Sequence, residues 1–584
     1  MRSSMARSWL LLLPFGLIAL LGFVAQAAVV EHTFNVGNMS ISQLCEPARI
    51  ITAVNGQLPG PTIEAHEGDT VVVHLINTSP YNMTIHWHGI FQLGTPWADG
   101  PAMVTQCPVK PGGKYTYRFN TTGQEGTLWW HAHTSLLRAT VYGALLLRPR
   151  AAAAAAATGG YPFLPKPHAE ITVLLAEWWN DNVYDLERTA FLQGGTVRAA
   201  DAYTINGKPG DLYNNCSAAN QTTKFQVRRN ETYLLRIINA GVNTPLFFKV
   251  ANHSFTVVGA DAAYTTPYHT DVVVAAPGQT VDALMLAGAA AGRYYMAASP
   301  YDSAIPQGPD FSKITATAVV EYVGAAEASP PALPQMPEFK DTATAFRFLS
   351  NLTALVLPGK PTVPLAVDTR MFVTVGLGVS DCLPAQTLCN RSAPPVFSAS
   401  MNNASFVLPD GGVSMLQAQY RNASAGVYTR DFPDRPPVAF DYTGEASDNA
   451  TMQYTNKSTK VRTLRYNETV EMVLQNTRLI AKESHPMHLH GFNFFVLAQG
   501  FGNYDDAAAP PLFNLVNPQE RNTVAVPTGG WAVIRFVANN PGMWFMHCHF
   551  DAHLDFGLGM VFEVQNGPTA ETSLPPPPAD LPQC

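Results

Sequence analysis

Charge is scarce in this chain, and cysteine is scarcer. Only 14% of its 584 residues are Asp, Glu, Lys or Arg, while 47% are hydrophobic. Disorder needs the opposite balance, so the composition is that of a folded protein. The net charge is -7 and no block of lysines and arginines occurs anywhere, which excludes nucleic acid as a partner. After the N-terminal segment there is no second long apolar run, so the mature chain is read as having no membrane anchor. Sustained helical periodicity is missing from most windows. Phosphate-cradling glycine loops are missing too, since Gly207-Lys208 in "TINGKPGD" is no nucleotide motif. Seven cysteines leave one thiol without a partner however the rest pair.

What is present begins with an export signal. Arg2 and Arg7 precede the apolar run "WLLLLPFGLIALLGFVA", and Ala25-Gln26-Ala27 supplies small residues for cleavage. This predicts a signal peptide over 1–27 and a secreted, extracellular mature chain from Ala28. Asn-x-Ser/Thr sequons recur along it, at Asn38, Asn77, Asn82, Asn120, Asn230, Asn252, Asn351, Asn390, Asn422, Asn456 and Asn467 among others, and predict N-linked glycans. Six cysteines fit three disulfides in that oxidising setting. Cys382 and Cys389 are near enough to join locally, and the remaining partners are open. Cys548 is the odd one out.

A chain this long exceeds one hydrophobic core. Short β-branched or aromatic runs closed by Gly, Pro, Asn or Asp dominate it, such as "DTVVVHLINT", "AEITVLLAEWW" and "WAVIRFVANN". They predict β-sandwich domains. An alanine run ending in Gly-Gly (151–160) and the proline-rich "EASPPALPQMPEF" (327–339) read as connectors, dividing the chain into 28–150, 160–328 and 340–584. A weak repeat runs through the three parts. "GTLWWHAH" has Gly126 five residues before His131, "GMWFMHCH" has Gly542 five before His547, and "GRYYMAAS" has Gly292 five before Ala297. The middle copy carries Ala297 and Ser299 where the others carry histidine, so it is read as metal-free.

Ten of the sixteen histidines lie in four clusters: His86 and His88; His131 and His133; His485, His488 and His490; His547, His549 and His553. Residues i and i+2 of a strand project to one face, so each His-x-His directs two imidazoles to one place. Eight such imidazoles are too many for one ion and predict a multinuclear cluster where the first and third domains meet. Cys548, between His547 and His549, leaves the opposite face. With His553 and His485 it makes the one-cysteine, two-histidine set of an electron-transfer copper. Zinc accepts similar ligands but does not explain the adjacent cluster.

Together with "NGQLPGPTIEAHEGD" (55–69), "WADGPAMVTQCP" (97–108), "AYTINGKPGDLYNNC" (202–216) and "NPQERNTVAVPTGGW" (517–531), these motifs resemble the multicopper oxidases over nearly the whole mature chain, and most closely the plant laccases. The resemblance implies an all-β fold of three cupredoxin-like Greek-key β-sandwich domains and four copper ions. It implies that His485, Cys548 and His553 hold the type 1 copper, and His86 and His488 the type 2 copper. His88, His131 and His549 would hold one type 3 copper, and His133, His490 and His547 the other. Leu558, ten residues after Cys548, replaces the axial methionine of ascorbate oxidases, which should raise the copper potential. Met560 is two residues too far along and is read as core packing. The activity implied is one-electron oxidation of phenols, such as monolignols, docking where the edge of His485 approaches the surface, coupled to reduction of dioxygen to water. Asp99 in "WADGP" is implied as an acid near the type 2 copper, although an Asp before Gly-Pro is also an ordinary turn residue. The resemblance further suggests Cys107 paired with Cys584 and Cys45 with Cys216, a monomer, and export to the apoplast or cell wall. The rival readings are an L-ascorbate oxidase, which Leu558 disfavours, and a non-catalytic cell-wall cupredoxin glycoprotein, which should have lost ligands.

Overall fold

A computed structural model describes residues 27–150, 160–213, 216, 221–304, 313–326, 329–392, 395–444 and 450–584. Residues 1–26 of the predicted signal peptide and the alanines at 151–157 lie outside the described residues. The rest is strand-rich, as the short β-branched runs predict, with brief helices at the joints.

Six sheets form three face-to-face pairs. The internal repeat falls at the same place in each pair. Gly126–Ala132, Arg293–Pro300 and Gly542–Cys548 each lie between two antiparallel neighbours. On one side are Tyr142–Arg148, Ala316–Tyr322 and Gly559–Val564, each followed by a parallel strand. On the other side are Ile85–His88, Leu246–Val250 and His485–Leu489. The register sets His86 opposite His131 and His488 opposite His547, while in the middle copy Lys249 faces Ala297. The shared topology therefore carries two histidine-bearing strand pairs and one pair without histidine.

Strands of the first sandwich that would normally show one wet face are buried on both. Every residue of Gly126–Ala132 is buried. Trp130 turns inward against Phe34, with ring centroids 4.6 Å apart. Trp129, on the opposite face, packs against Leu174, Ala176 and Ile238 of the middle sandwich. The first and third sandwiches share one continuous core, in which Val104, Leu136 and Trp97 pack with Met415, Leu416, Phe545 and Val561. Each such side chain taken fully out of water stabilises the seam by roughly 1.5–3 kcal/mol. The backbone reinforces it, as Met415 N donates to Met103 O (3.0 Å) and Leu416 N to Val104 O (2.8 Å).

The disulfides pair as the resemblance suggests: Cys45 with Cys216, Cys107 with Cys584, and Cys382 with Cys389. Cys548 is free and buried. The second bridge ties the C-terminal residue back to the first sandwich across the seam.

Candidate metal centre

All ten clustered histidines and Cys548 converge at this seam. Among the described residues five sets place their donor atoms within 4.8 Å of one another: His86, His88 and His488; His88, His131 and His549; His133, His490 and His547; His485, Cys548 and His553; and, through a carboxylate, His86, Asp99 and His490. The first four are the groupings expected from the resemblance, with His88 standing close to both the first and second sets. The alternation of one strand produces the split. His547 turns from Gly542–Cys548 toward the seam and His549 follows it, while Cys548 turns into the core of the third sandwich beside Leu558 and Met560.

Hydrogen bonds decide which imidazole nitrogen is left bare. His86 Nδ1 donates to Asp99 O (2.7 Å), His131 Nδ1 to Ala132 O (2.9 Å) and His488 Nδ1 to Asn522 O (2.9 Å). A carbonyl can only accept, so each ring keeps its proton there and its Nε2 carries a lone pair. Those three Nε2 atoms are buried with no hydrogen-bond partner among the described residues. His490 Nδ1 donates to Asp99 Oδ2 (3.0 Å) and His547 Nδ1 to Cys548 O (2.9 Å). Their Nε2 atoms then face each other, lone pair to lone pair, at 3.1 Å. Such a contact is repulsive unless a cation lies between the two rings. Burial, reinforced by mutual repulsion among the rings, holds His88, His131, His133, His488, His490 and His549 well below the usual histidine value. Burial takes His547 down to about 3. Neutral imidazoles with bare nitrogens in a dry pocket are what a metal requires, and the residues fit one.

The thiol set is equally pre-formed. Cys548 Sγ lies 3.8 Å from His485 Nδ1 and 3.5 Å from His553 Nδ1, and the two nitrogens are 3.2 Å apart. His553 stands on the short helix Asp551–Phe556, which Gly557 ends in the left-handed region at φ 104°. The chain then doubles back, so Cys548 N donates to Leu558 O (3.0 Å). This turn places Leu558 beside the thiol with no donor atom to offer. His485 is not the ring at the surface. It is 1% exposed against 6% for His553, whose Nε2 lies 3.3 Å from Glu483 Oε2. His485 sits in the strand His485–Leu489, whereas His553 is carried by the helix and is the less deeply buried of the two rings.

Asp99 is fully buried and sits among the ligands. Aromatic walls close the cluster: Trp129 lies over His131 at 4.3 Å and Phe545 over His547 at 4.7 Å between centroids. Both are two residues before a ligand on the same strand, as their packing role in "LWWHAH" and "GMWFMH" predicts. His66 and His74 lie away from the centre, His74 pairing with Glu31 instead. Four contributors escaped the sequence reading. Glu483 lies two residues before His485, inside a motif searched only for histidine. Asn522 and Thr523 lie in the quoted "NPQERNTVAVP" but in no metal-ligand pattern. Arg138 is a buried guanidinium that donates to Val242 O (2.9 Å) and His549 O (3.0 Å) and pairs with Asp551 at 3.2 Å. An arginine in "SLLRATVYG" gives no signal of that role.

Comparison with known proteins agrees with this geometry. Three multicopper oxidase family models match residues 35–152, 169–325 and 431–568. Laccase-25 of Oryza sativa subsp. japonica is 74% identical over 99% of this chain and 100% of its own length. Laccase-7 of Arabidopsis thaliana is 56% identical over 96% of this chain and 97% of its own. Among solved structures, the laccase of Botrytis aclada superposes with a TM-score of 0.71 at 26% identity, covering 94% of this chain and 89% of that one. The sandwich fold, the donor sets and these relatives agree: the chain belongs to the multicopper oxidases, and within them to the laccases of plants.

Proposed function

We propose that the laccase reaction is divided among these residues as follows. His485, Cys548 and His553 hold the type 1 copper, and His86 and His488 the type 2 copper. His88, His131 and His549 hold one type 3 copper; His133, His490 and His547 hold the other. Bound there, copper supplies one-electron oxidation of a phenol at one end and four-electron reduction of dioxygen to water at the other.

The protein supplies the rest. The His553 edge and the Glu483 carboxylate receive the phenol at the rim. The backbone of residues 547–549 links the two centres covalently. Asp99 orients His490 and His86, and its Oδ1, buried, without a hydrogen-bond partner among the described residues and 3.4 Å from His86 Nδ1, is placed to carry a proton at the oxygen-reducing end. Leu558 stands beside the thiol and has no donor atom, so a copper held by His485, Cys548 and His553 would gain no further protein ligand there. One observation carries this reading: a single strand sends adjacent side chains into two separate donor sets.

The chain is further proposed to be an exported, glycosylated monomer divided at 28–150, 160–328 and 340–584. Exposed sequons such as Asn38, Asn82, Asn230, Asn351 and Asn422 support glycan attachment. Asn77 does not: it is buried, and its Nδ2 donates to Tyr81 O and Val109 O (2.8 Å each). The test is metal analysis of the secreted protein with electron paramagnetic resonance and oxygen uptake. Four coppers, distinct blue and non-blue signals, and faster uptake with a methoxyphenol than with ascorbate are expected. A protein without the blue signal, or one faster on ascorbate, would overturn it.

A further inference from the structure

The middle sandwich holds no proposed ligand, yet one of its turns reaches the centre. Strands Phe255–Ala260 and Ala263–Thr270 pair with Ala260 opposite Ala263, leaving Asp261 and Ala262 as the whole connection. Both are left-handed, at φ 49° and 58°. Glycine and asparagine favour such positions; alanine has no side-chain reason to adopt one, so the surroundings must hold it there.

Those surroundings are the other two domains. A methyl group placed on Gly126, at the head of the first histidine strand, would lie only 2.7 Å from Ala262 Cα. On its other side Asp261 grips Arg521 through two bonds, Nε to Oδ2 at 2.9 Å and a terminal nitrogen to Oδ1 at 3.1 Å, and both residues are buried. Thr523 N also donates to Asp261 Oδ2 (3.2 Å), and Gln279 of the middle domain donates to Thr523 O (3.0 Å). The segment held in this way faces the histidines. Asn522 O accepts from His488 Nδ1, and Thr523 Oγ1 lies 3.1 Å from the same nitrogen. Asn522 Oδ1 and Thr523 Oγ1 lie 3.1 and 3.2 Å from His88 Nε2. A methyl group on Gly278, also of the middle domain, would lie 2.9 Å from the His549 ring and 3.1 Å from that of His88.

We propose that the Asp261 turn of the ligand-free domain is the positioning element for the type 2 side of the cluster. Asp261 acts through Arg521 and Thr523 to fix the tautomer and tilt of the type 2 ligand His488 and of His88, the type 3 ligand beside it. Among the described residues neither Arg521 nor Asp261 hydrogen-bonds a ligand; their effect passes through Asn522 and Thr523, which follow Arg521 in the chain. This rests on the ligand assignment proposed above.

The experiment compares Asp261→Asn, Thr523→Val and the ligand variant His488→Ala as full-length secreted proteins. Blue absorbance and type 1 potential serve as controls, because that site does not touch the turn. Asp261→Asn and Thr523→Val should keep both controls while type 2 copper affinity falls roughly 10–100-fold, the effect of losing an outer partner of a ligand histidine. Their residual type 2 resonance should shift, a change that a general loss of stability does not produce. If His488→Ala keeps a normal type 2 signal, the ligand assignment fails. If His488→Ala loses it while Asp261→Asn and Thr523→Val bind copper normally with an unchanged resonance, the assignment stands and this inference falls. Should Asp261→Asn not fold, as judged by loss of the blue band, Arg521→Lys decides in its place, since it keeps a cation beside Asp261 while breaking the two-bond grip, and an unchanged type 2 resonance there would likewise overturn the inference.

Discussion

Asp99→Asn separates two roles that the structure superimposes on one carboxylate. Asp99 accepts from His490 Nδ1 at 3.0 Å and offers its backbone carbonyl to His86 Nδ1 at 2.7 Å. Asparagine preserves the shape and the carbonyl contact and removes only the charge. A buried hydrogen bond to a charged group contributes about 1.5–3 kcal/mol and a neutral one about 0.5–1.5. The expected loss is therefore about 1–2 kcal/mol, roughly a 5–30-fold weaker hold on the copper bound by His133, His490 and His547. If Asp99 also delivers a proton to the oxygen site, a copper-replete variant should still turn over about 100-fold or more slowly. Copper titration followed by type 3 absorbance measures the first effect. Oxygen uptake at saturating phenol and copper, in light and heavy water, measures the second. A replete variant within twofold of the parent would refute the proton role, and unchanged copper affinity would refute the hydrogen-bond argument.

Cys548→Ser should abolish the blue band and phenol oxidation together while leaving trinuclear copper countable by metal analysis, because the other donor sets do not use its side chain. Leu558→Met keeps core volume, costs under about 1.5 kcal/mol, and should lower the type 1 potential in a redox titration by adding a thioether donor. Burial pushes Glu187 and its neighbour Asp555 up together, with Asp551 adding to both rises; above the ordinary carboxylate range the folded chain therefore keeps a proton in this pair that the unfolded chain has lost. Stability should fall as pH rises above that range, and Glu187→Gln should flatten that slope in denaturant midpoints measured at several pH values. Replacing Cys107 and Cys584 with Ser opens a bridge of sequence separation 477 and should cost about 2–5 kcal/mol. Trinuclear copper, shared across the seam, should be lost during unfolding before the blue band.

The donor sets were legible because they depend on the shortest-range geometry a chain possesses. Two residues apart on a strand means the same face, and one apart means opposite faces, so "HCH" already separates Cys548 from His547 and His549. The fold was legible for a similar reason, as short runs closed by turn formers recur in "GTLWWHAH", "GRYYMAAS" and "GMWFMHCH" at one place in each sandwich. Exposure was not legible. His485 and His553 look equivalent as letters, and only the structure shows that His553, on the helix Asp551–Phe556, is the less deeply buried and the one paired with Glu483. Asn77 fails for the same reason: a sequon names an acceptor side chain but not the two carbonyls that occupy it.

Long-range positioning is the least legible of all, and the middle domain shows why. Its repeat strand kept the topology and lost the histidines, leaving Ala297 and Ser299. Read as letters, that loss makes the domain a spacer. In space, its turn at Asp261 touches Gly126 of one histidine strand and holds Arg521 and Thr523 beside the other. A cluster shared by two domains is only as rigid as their seam, and the middle domain packs and hydrogen-bonds against both sides of it. Within this architecture, a copy relieved of binding metal is free to supply that rigidity, because its side chains at the centre need only pack and hydrogen-bond.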